Sequence, residues 1–221
     1  MKNYSLFDIM GPIMIGPSSS HTAGACRIAR VARKMCGNDC IKAKFYLHGS
    51  FAETYRGHGT DKALVAGALG MDIDDDNLPN AFEIAEKRGF EYEFIPTDLG
   101  DVHPNTVKIL FEYPNGRTAT AMGESIGGGN IIMKEIDGID VDYTNEFPTI
   151  VLKYHEQKGV IAYVSSILAE NGYNIERMTT KKDEDSVKLI IELETELDET
   201  NKREILSNDR FMVAKYLSRE F

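Results

Sequence analysis

The sequence predicts an α+β protein of two domains, on three observations. Segments with the 3.6-residue apolar spacing of amphipathic helices alternate with short segments in which every second residue is apolar, as in half-buried strands. The length of 221 residues suits one large or two small domains. The composition changes at residues 142–148 (DYTNEFP), a polar stretch that ends in proline, and we expect the domain boundary there.

The first half of the chain is predicted to mix helices with strands. An apolar stripe predicts a helix over residues 22–36, which Gly37 ends. Alternating apolar residues predict a strand over residues 41–47. Thr60 is a suitable N-cap for a second helix that extends to Gly70. The later patterns predict a helix over 79–88, strands over 90–95, 106–113 and 117–122, a glycine-rich loop over 123–130 (GESIGGGN) and a strand pair over 131–141.

The second half has the predicted element order β-α-β-β-α-β. In sequence, the patterns predict a strand over 149–154, a helix over 160–171, strands over 174–180 and 186–195, a helix over 199–207 and a strand over 210–217. This order favours the split βαβ, or ferredoxin-like, arrangement, in which two helices cover one face of a four-stranded sheet. The loop at Lys158 and Gly159 and the passage 171–175 (NGYNI) resemble the ACT domain, a small regulatory module that commonly binds amino acids between copies.

Charge and hydropathy argue against two classes of partner. The net charge is −10 and the isoelectric point is about 5.0, so nucleic acid and an anionic membrane surface would be repelled. The longest apolar run, residues 9–15, is broken by Gly11 and Pro12 and is too short to span a bilayer. Asp8 interrupts what otherwise imitates a signal peptide, and we expect a mature N-terminus and a cytoplasmic protein.

Three cysteines, Cys26, Cys36 and Cys40, suit a reducing compartment because their number is odd and their spacing is wide for a small disulfide framework. Three thiolates could hold an iron–sulfur cluster, but Cys26 falls in a predicted helix and the usual cluster spacings are tighter. We therefore expect free, buried cysteines and no metal site on this chain.

Residues 16–24 (GPSSSHTAG) form the densest polar motif and lie at the start of the first predicted helix. The free N–H groups of a helix start, together with hydroxyls and an imidazole, suit a small carboxylate ligand. A capped helix preceded by a solvated serine turn explains the same residues equally well. The candidate binding residues in this motif are Ser18, Ser19, Ser20, His21 and Thr22.

Two further histidines stand at the ends of predicted loops. His58 precedes Gly59 and Thr60 at the start of the second helix, and His103 begins the sequence HPNT, which includes Asn105. Single histidines are more often packed or solvated than catalytic, but three at loop ends make a common site plausible. All five residues are candidates for binding, and His21 and His58 are the candidate catalytic residues.

Taken together, GPSSSHTAG, HGSFAETYRGHGTDKAL, HPNT and GESIGGGN resemble the β subunits of the bacterial iron–sulfur L-serine dehydratases, and the resemblance covers the whole chain. It implies a domain over 1–143 similar to the allosteric substrate-binding domain of some phosphoglycerate dehydrogenases, followed by an ACT domain over 148–221. It also implies a separate α subunit, which holds a [4Fe-4S] cluster through its own cysteines. The pair would convert L-serine to pyruvate and ammonia, as a homodimer or heterotetramer, without pyridoxal phosphate.

The role of this chain within such an enzyme is open between two hypotheses. The motif around His21 could complete the active site that faces the cluster, with His21 or His58 near the proton transfer. The same pocket could instead bind serine as an effector and shift an equilibrium between active and inactive states. A third interpretation, from another class, is a free-standing amino-acid sensor that regulates a protein target and has no enzyme partner.

Overall fold

The computed structural model describes residues 13–219 and places their strands in two sheets, one in each of two units that divide between Asp142 and Tyr143. Both units combine helices with a sheet, so the predicted α+β class is confirmed. Among the described residues, no helix is long and apolar enough to cross a membrane.

The first unit is a six-stranded sheet packed against helices. Its helices are α1 (Ala25–Cys36), α2 (Gly49–Thr54), α3 (Thr60–Ala68) and α4 (Ala81–Arg88), with a short 3-10 turn at Leu78–Asn80 before α4. Its strands are β1 (Lys42–Leu47), β2 (Glu91–Pro96), β3 (Thr106–Glu112), β4 (Thr118–Gly127), β5 (Asn130–Ile136) and β6 (Ile139–Tyr143). The strand order is β2-β1-β3-β4-β5-β6, in which β1 and β2 are parallel and β3 pairs antiparallel with both β1 and β4.

Helix α1 lies at the centre of this unit because its apolar stripe is buried on two sides. Ile28 and Ala29 are fully buried, and α1 packs against both α3 and β4. The helices α1 and α3 approach closely at Gly67, where an added Cβ would overlap the Cys26 carbonyl oxygen and lie 2.9 Å from the Ala29 Cβ. The buried stripe thus fixes α1, and with it the polar motif at the start of the helix.

The glycine-rich segment GESIGGGN is not the loop that its composition predicts. Strand β4 continues through Gly127, and Asn130 already begins β5. Gly128 and Gly129 have φ angles of 62° and 78°, as the two central residues of a tight hairpin turn require. The predicted loop over 123–130 is therefore wrong, because most of these residues pair as strands.

Two details around the second predicted helix also differ. The short helix α2 was not predicted, because six residues carry too little periodicity to be recognised. The N-cap of α3 is Gly59, with φ of 68°, and Thr60 is the first helical residue rather than the cap. A glycine tolerates this left-handed conformation, whereas a threonine would be strained there.

The second unit contains the six predicted elements in the predicted order: β7 (Thr149–His155), α5 (Val160–Glu170), β8 (Ile175–Lys182), β9 (Ser186–Leu193), α6 (Glu199–Leu206) and β10 (Phe211–Leu217). The strand order is β10-β7-β9-β8, and all neighbours are antiparallel. Val164 of α5 and Ile205 of α6 share one apolar core with alternate residues of the strands, such as Leu152 and Ile191. Both helices therefore cover the same face of the sheet.

Candidate functional site

The polar motif forms a wide helical turn immediately before α1. Residues Ser19–Gly24 are π-helical, and the Ser18 carbonyl accepts from the N–H groups of both Thr22 (2.9 Å) and Ala23 (3.2 Å). The Ser18 hydroxyl accepts from the His21 N–H at 3.0 Å, so Ser18 acts as the N-cap. Single π-turns are frequent at functional sites because they displace side chains from the regular helical spacing.

The His21 ring contacts three residues that arrive from α2 and from the loop before α3. Its Nε2 lies 3.0 Å from the Ser50 Oγ. The ring centroid lies 4.9 Å from that of His58 and 5.3 Å from that of Phe51. The neighbouring Thr22 hydroxyl donates to the His58 carbonyl at 3.1 Å, and this hydrogen bond connects the turn before α1 to the loop before α3. The structure therefore brings together the two histidines that the sequence singled out as candidate catalytic residues.

The environment of His21 favours the neutral imidazole. Burial lowers the pKa of His21 first, and the nearby His58 lowers it further, because a second positive charge would be repelled. A neutral ring near pH 7 retains a lone pair, so His21 is suited to accept a proton.

A second cluster joins the HPNT segment to the same motif through Ser125 on β4. The buried Ser125 hydroxyl donates to the Ser20 carbonyl at 2.9 Å, and the Ser125 N–H donates to the Asn105 carbonyl at 2.9 Å. Gly24 permits this approach, since a Cβ at that position would overlap the Ser125 Oγ. Ser125 thus holds two of the predicted site segments in fixed relation.

His103 occupies a different position from the other two histidines. Its Nδ1 accepts from the Asn105 N–H at 3.1 Å, which caps its own turn. Its backbone N–H approaches the Glu124 Oε1 at 3.4 Å, on the same strand as Ser125. Among the described residues, no ring contact joins His103 to His21 or His58, and the hydrogen bonds of Ser125 to Asn105 and Ser20 connect the two segments instead.

Thr60 adds a polar group that its surroundings leave unsatisfied. Its side chain is fully buried, and among the described residues the Oγ1 has no hydrogen-bond partner. Buried hydroxyls without hydrogen-bond partners are uncommon, and such a group can bind a ligand or a water molecule. Gly59 places Thr60 immediately after His58, at the N-terminus of α3.

Sequence reasoning did not select three residues that contribute to this site. Ser50 and Phe51 contact the His21 ring, and Ser125 anchors Ser20. Ser50 and Phe51 lie inside the segment HGSFAETYRGHGTDKAL and Ser125 inside GESIGGGN, so the motifs contained them. Only the folded arrangement shows that Ser50 and Phe51 contact the His21 ring and that Ser125 contacts Ser20.

Comparison with known proteins agrees with these motifs. Residues 5–136 match the family model described as serine dehydratase beta chain. The chain is 51% identical to the L-serine dehydratase beta chain of Peptoniphilus asaccharolyticus, over 98% of this chain and 99% of that one. It is 42% identical to the probable L-serine dehydratase beta chain of Bacillus subtilis (strain 168), over 90% and 91% of the two chains. This chain belongs to the serine dehydratase beta chain family.

Longer relatives match this β chain only in part. An L-serine dehydratase of Haemophilus influenzae is 29% identical over 76% of this chain, and the matched region is 43% of the relative. In these longer proteins, more than half of the chain has no counterpart in the β chain.

The cysteines of this β chain do not fit an iron–sulfur cluster. Cys26 and Cys36 are buried in α1, and the Cys26 thiol approaches the Met71 carbonyl at 3.6 Å. Burial raises the pKa of Cys26 to about 12, so the thiolate that a cluster needs is disfavoured. Within residues 13–219, no group of three or more histidine, cysteine or acidic side chains could hold a metal ion.

Proposed function

We propose that this β chain combines with an α subunit to deaminate L-serine to pyruvate and ammonia, and that it supplies the site around His21. Two findings support the pairing. The similar chains are named as beta chains, and the longer L-serine dehydratases contain a region of more than half their length that this chain lacks. A free-standing amino-acid sensor is not favoured by these relatives.

The observation that carries the proposed role is the placement of the His21 ring, whose Nε2 lies 3.0 Å from the Ser50 hydroxyl oxygen and whose pKa is lowered by burial and by the neighbouring His58. In the reaction, serine loses its α proton, and its hydroxyl group takes up a proton and leaves as water. The aminoacrylate rearranges to the imine, which one water molecule hydrolyses to pyruvate and ammonia. A base is needed for the first of these steps, and His21 is poised to accept a proton at neutral pH. The hydroxyls of Ser18, Ser19 and Ser20 and the backbone N–H groups at the start of the π-turn would bind the carboxylate of the amino acid. The Thr22 hydroxyl, which donates to the His58 carbonyl, would position His58 instead.

The [4Fe-4S] cluster belongs, in this proposal, to the α subunit, since the cysteines of the β chain do not fit it. Bound there, the cluster would supply a Lewis acid for the carboxylate and hydroxyl of serine. The β chain would thus be inactive alone, and the complete enzyme would be a lyase of two different subunits.

The decisive experiment is His21→Ala in the assembled αβ enzyme, assayed for pyruvate at saturating serine. We expect the maximal rate to fall at least about a hundredfold, the usual contribution of a general base. His155→Ala, an exposed histidine of the second unit, is the matched control and should be unchanged. A normal maximal rate with altered cooperativity would instead assign this pocket to regulation by serine.

We also propose that the second unit is an ACT domain. The strand order β10-β7-β9-β8 and the two helices on one face support this, as does Gly159, which begins α5 with φ of 85°. Calorimetric titration of the αβ enzyme with L-serine tests it. Loss of a second binding event in Gly159→Val, with pyruvate formation retained, is the expected result, and an unchanged titration would contradict the assignment.

A further inference from the structure

We infer that this chain binds a small oxyanion with two negative charges, of the phosphate class, at the end of α1 opposite to His21. Two adjacent cavities lie there. One of about 130 Å³ has Arg33, Arg88, Cys40 and Leu69 among the residues of its lining. The other, of about 330 Å³, is lined by Arg30, Arg33, Lys34, Asn38 and Gly70. Arg33 lines both, and this pair of cavities is named here the Arg33 site.

The lining of the two cavities is positively charged. Four cationic residues line the two cavities, and no acidic residue does, although the chain as a whole carries a net charge of −10. Arg30 forms an ion pair with Asp72. Arg33 and Arg88 pair with no carboxylate among residues 13–219, so two guanidinium groups face these cavities without a counter-charge from the described chain.

The Arg33 side chain contains a buried hydrogen-bond donor that lacks an acceptor among the described residues. The Arg33 Nη2 donates to the Asn38 carbonyl at 2.6 Å, but the Arg33 Nε is buried and has no acceptor among the described residues. Gly70, with φ of 90°, makes room for this guanidinium, since a Cβ there would overlap the Arg33 Nη1. An oxyanion would supply the missing acceptor, because the guanidinium fork matches the paired oxygens of a phosphate group.

The thiol in the wall of the smaller cavity adds no negative charge. Burial raises the pKa of the Cys40 thiol, and the neighbouring Arg33 only partly opposes this, so Cys40 is a neutral thiol. The carboxylate of Asp39, which is not part of either lining, is close enough to raise the pKa of Cys40 further. The Arg88 Nη1 donates to the Leu69 carbonyl at 3.3 Å, which holds this exposed side chain at the cavity wall.

A simpler explanation covers some of these observations. Arg33 and Lys34 lie in the last turn of α1, and Arg88 lies in the last turn of α4, where cations are favoured by the helix dipole. The dipole explains why each helix ends in cations. It does not explain why cations from two helices line one pair of cavities, or why a buried Nε lacks an acceptor.

The Arg33 site is separate from the site of the proposed function. Helix α1 contains 12 residues, which corresponds to about 18 Å between its ends at 1.5 Å per residue. The inference does not depend on the proposed reaction, and its test needs no turnover.

The test is calorimetric titration of the full chain with inorganic phosphate and, separately, with methyl phosphate, at ionic strength held constant with sodium chloride. We expect one saturable site per chain. Stronger binding of methyl phosphate would identify the ligand as a phosphorylated compound, and equal or stronger binding of inorganic phosphate would identify the free anion.

Arg33→Met should weaken binding at least about tenfold, as expected for loss of a charge-assisted hydrogen bond. Arg210→Met removes the same charge from the second unit, where the guanidinium lies over the Tyr163 ring, and should leave binding unchanged. If circular dichroism shows that Arg33→Met does not fold, the exposed Arg88→Met replaces it, with the same expected weakening. No saturation up to about 20 mM of either ligand, or equal binding by the arginine variants and the wild type, would overturn the inference.

Discussion

At the scale of single residues, the site depends on small polar side chains that hold neighbouring segments in place by hydrogen bonds. Ser125 is buried and carries no charge, yet its hydroxyl and N–H donate to the carbonyls of Ser20, in the π-turn, and Asn105, in the HPNT segment. His21 follows Ser20 directly, so the orientation of the imidazole depends on a hydrogen bond that the histidine does not make itself.

Ser125→Ala is therefore expected to lower the maximal rate of the αβ enzyme about tenfold while the chain stays folded. The lost hydrogen bond is worth about 1 kcal/mol of stability, which a domain of this size tolerates, but displacement of the site by a fraction of an ångström costs far more in rate. Ser186→Ala makes the same change at a buried position of the second unit and serves as the control. Equal small losses in both variants would show that Ser125 has no special role.

The interaction between the two histidines gives a second prediction at this scale. His58 contributes to the lowered pKa of His21, so His58→Asn should raise the pKa of His21, although burial keeps it below its ordinary value. The measurement is a titration of the His21 ring protons by NMR, with the exposed His155 as internal reference. An unchanged His21 titration would show that the rings do not interact electrostatically.

The same lowered pKa links His21 to stability. The unfolded chain binds a proton at His21 more readily than the folded chain, so folded stability is expected to decrease as pH falls below about 6.5. Urea unfolding at pH 7.5 and pH 5.5 should show a smaller pH-dependent loss for His21→Asn than for the wild type. An equal loss in both would place the acid sensitivity elsewhere.

At the scale of elements, the helix pair α1 and α3 is fixed by a contact that leaves no space for a side chain. Gly67→Ala would gain about 1 kcal/mol in helix propensity. The added methyl would overlap the backbone at Cys26 and press on Ala29, and overpacking typically costs about 1–3 kcal/mol. Because backbone atoms cannot move aside cheaply, we expect net destabilisation in urea unfolding.

Gly57→Ala provides the control for this substitution. A Cβ at Gly57 would meet only the Thr54 carbonyl, at the ordinary contact distance of 3.7 Å, and the φ angle there is not positive. Its effect should be within about 0.5 kcal/mol, the usual range for surface changes. Greater stability of Gly67→Ala than of wild type would mean that the two helices can separate without cost.

Sequence patterns predicted these elements unequally, for physical reasons. The helix at α1 and the six elements of the second unit were recognisable because long amphipathic segments repeat their period several times. The hairpin at Gly128 was missed, since consecutive glycines suit both a flexible loop and a tight turn with positive φ. The contacts of Ser125 could not be predicted from sequence patterns, because Ser125 and Ser20 are distant in sequence. The π-turn before α1 was missed because its residues have the same composition as an ordinary capped helix start.

At the scale of the whole molecule, the described residues carry only part of the chemistry that the proposed reaction needs. The first unit brings together the His21 imidazole, whose pKa is lowered, several hydroxyl groups and a buried Thr60 hydroxyl without a partner among the described residues, while its cysteines are unsuited to a cluster. The longer relatives carry a large region absent here. We therefore expect activity to appear only when a second polypeptide is present.

Pyruvate formation from L-serine tests this expectation, with the chain alone and with its co-expressed partner, under anaerobic conditions. We expect turnover only in the pair, and loss of that turnover on exposure to oxygen, because oxygen would oxidise the [4Fe-4S] cluster that we propose for the α subunit. The α subunit expressed without this chain and prepared in parallel separates the activity of the pair from contaminating activity. Turnover by the single chain would contradict the division of labour between subunits. Turnover by neither, with serine binding detected calorimetrically on this chain, would favour the amino-acid sensor, since binding would then be the only function that the site performs.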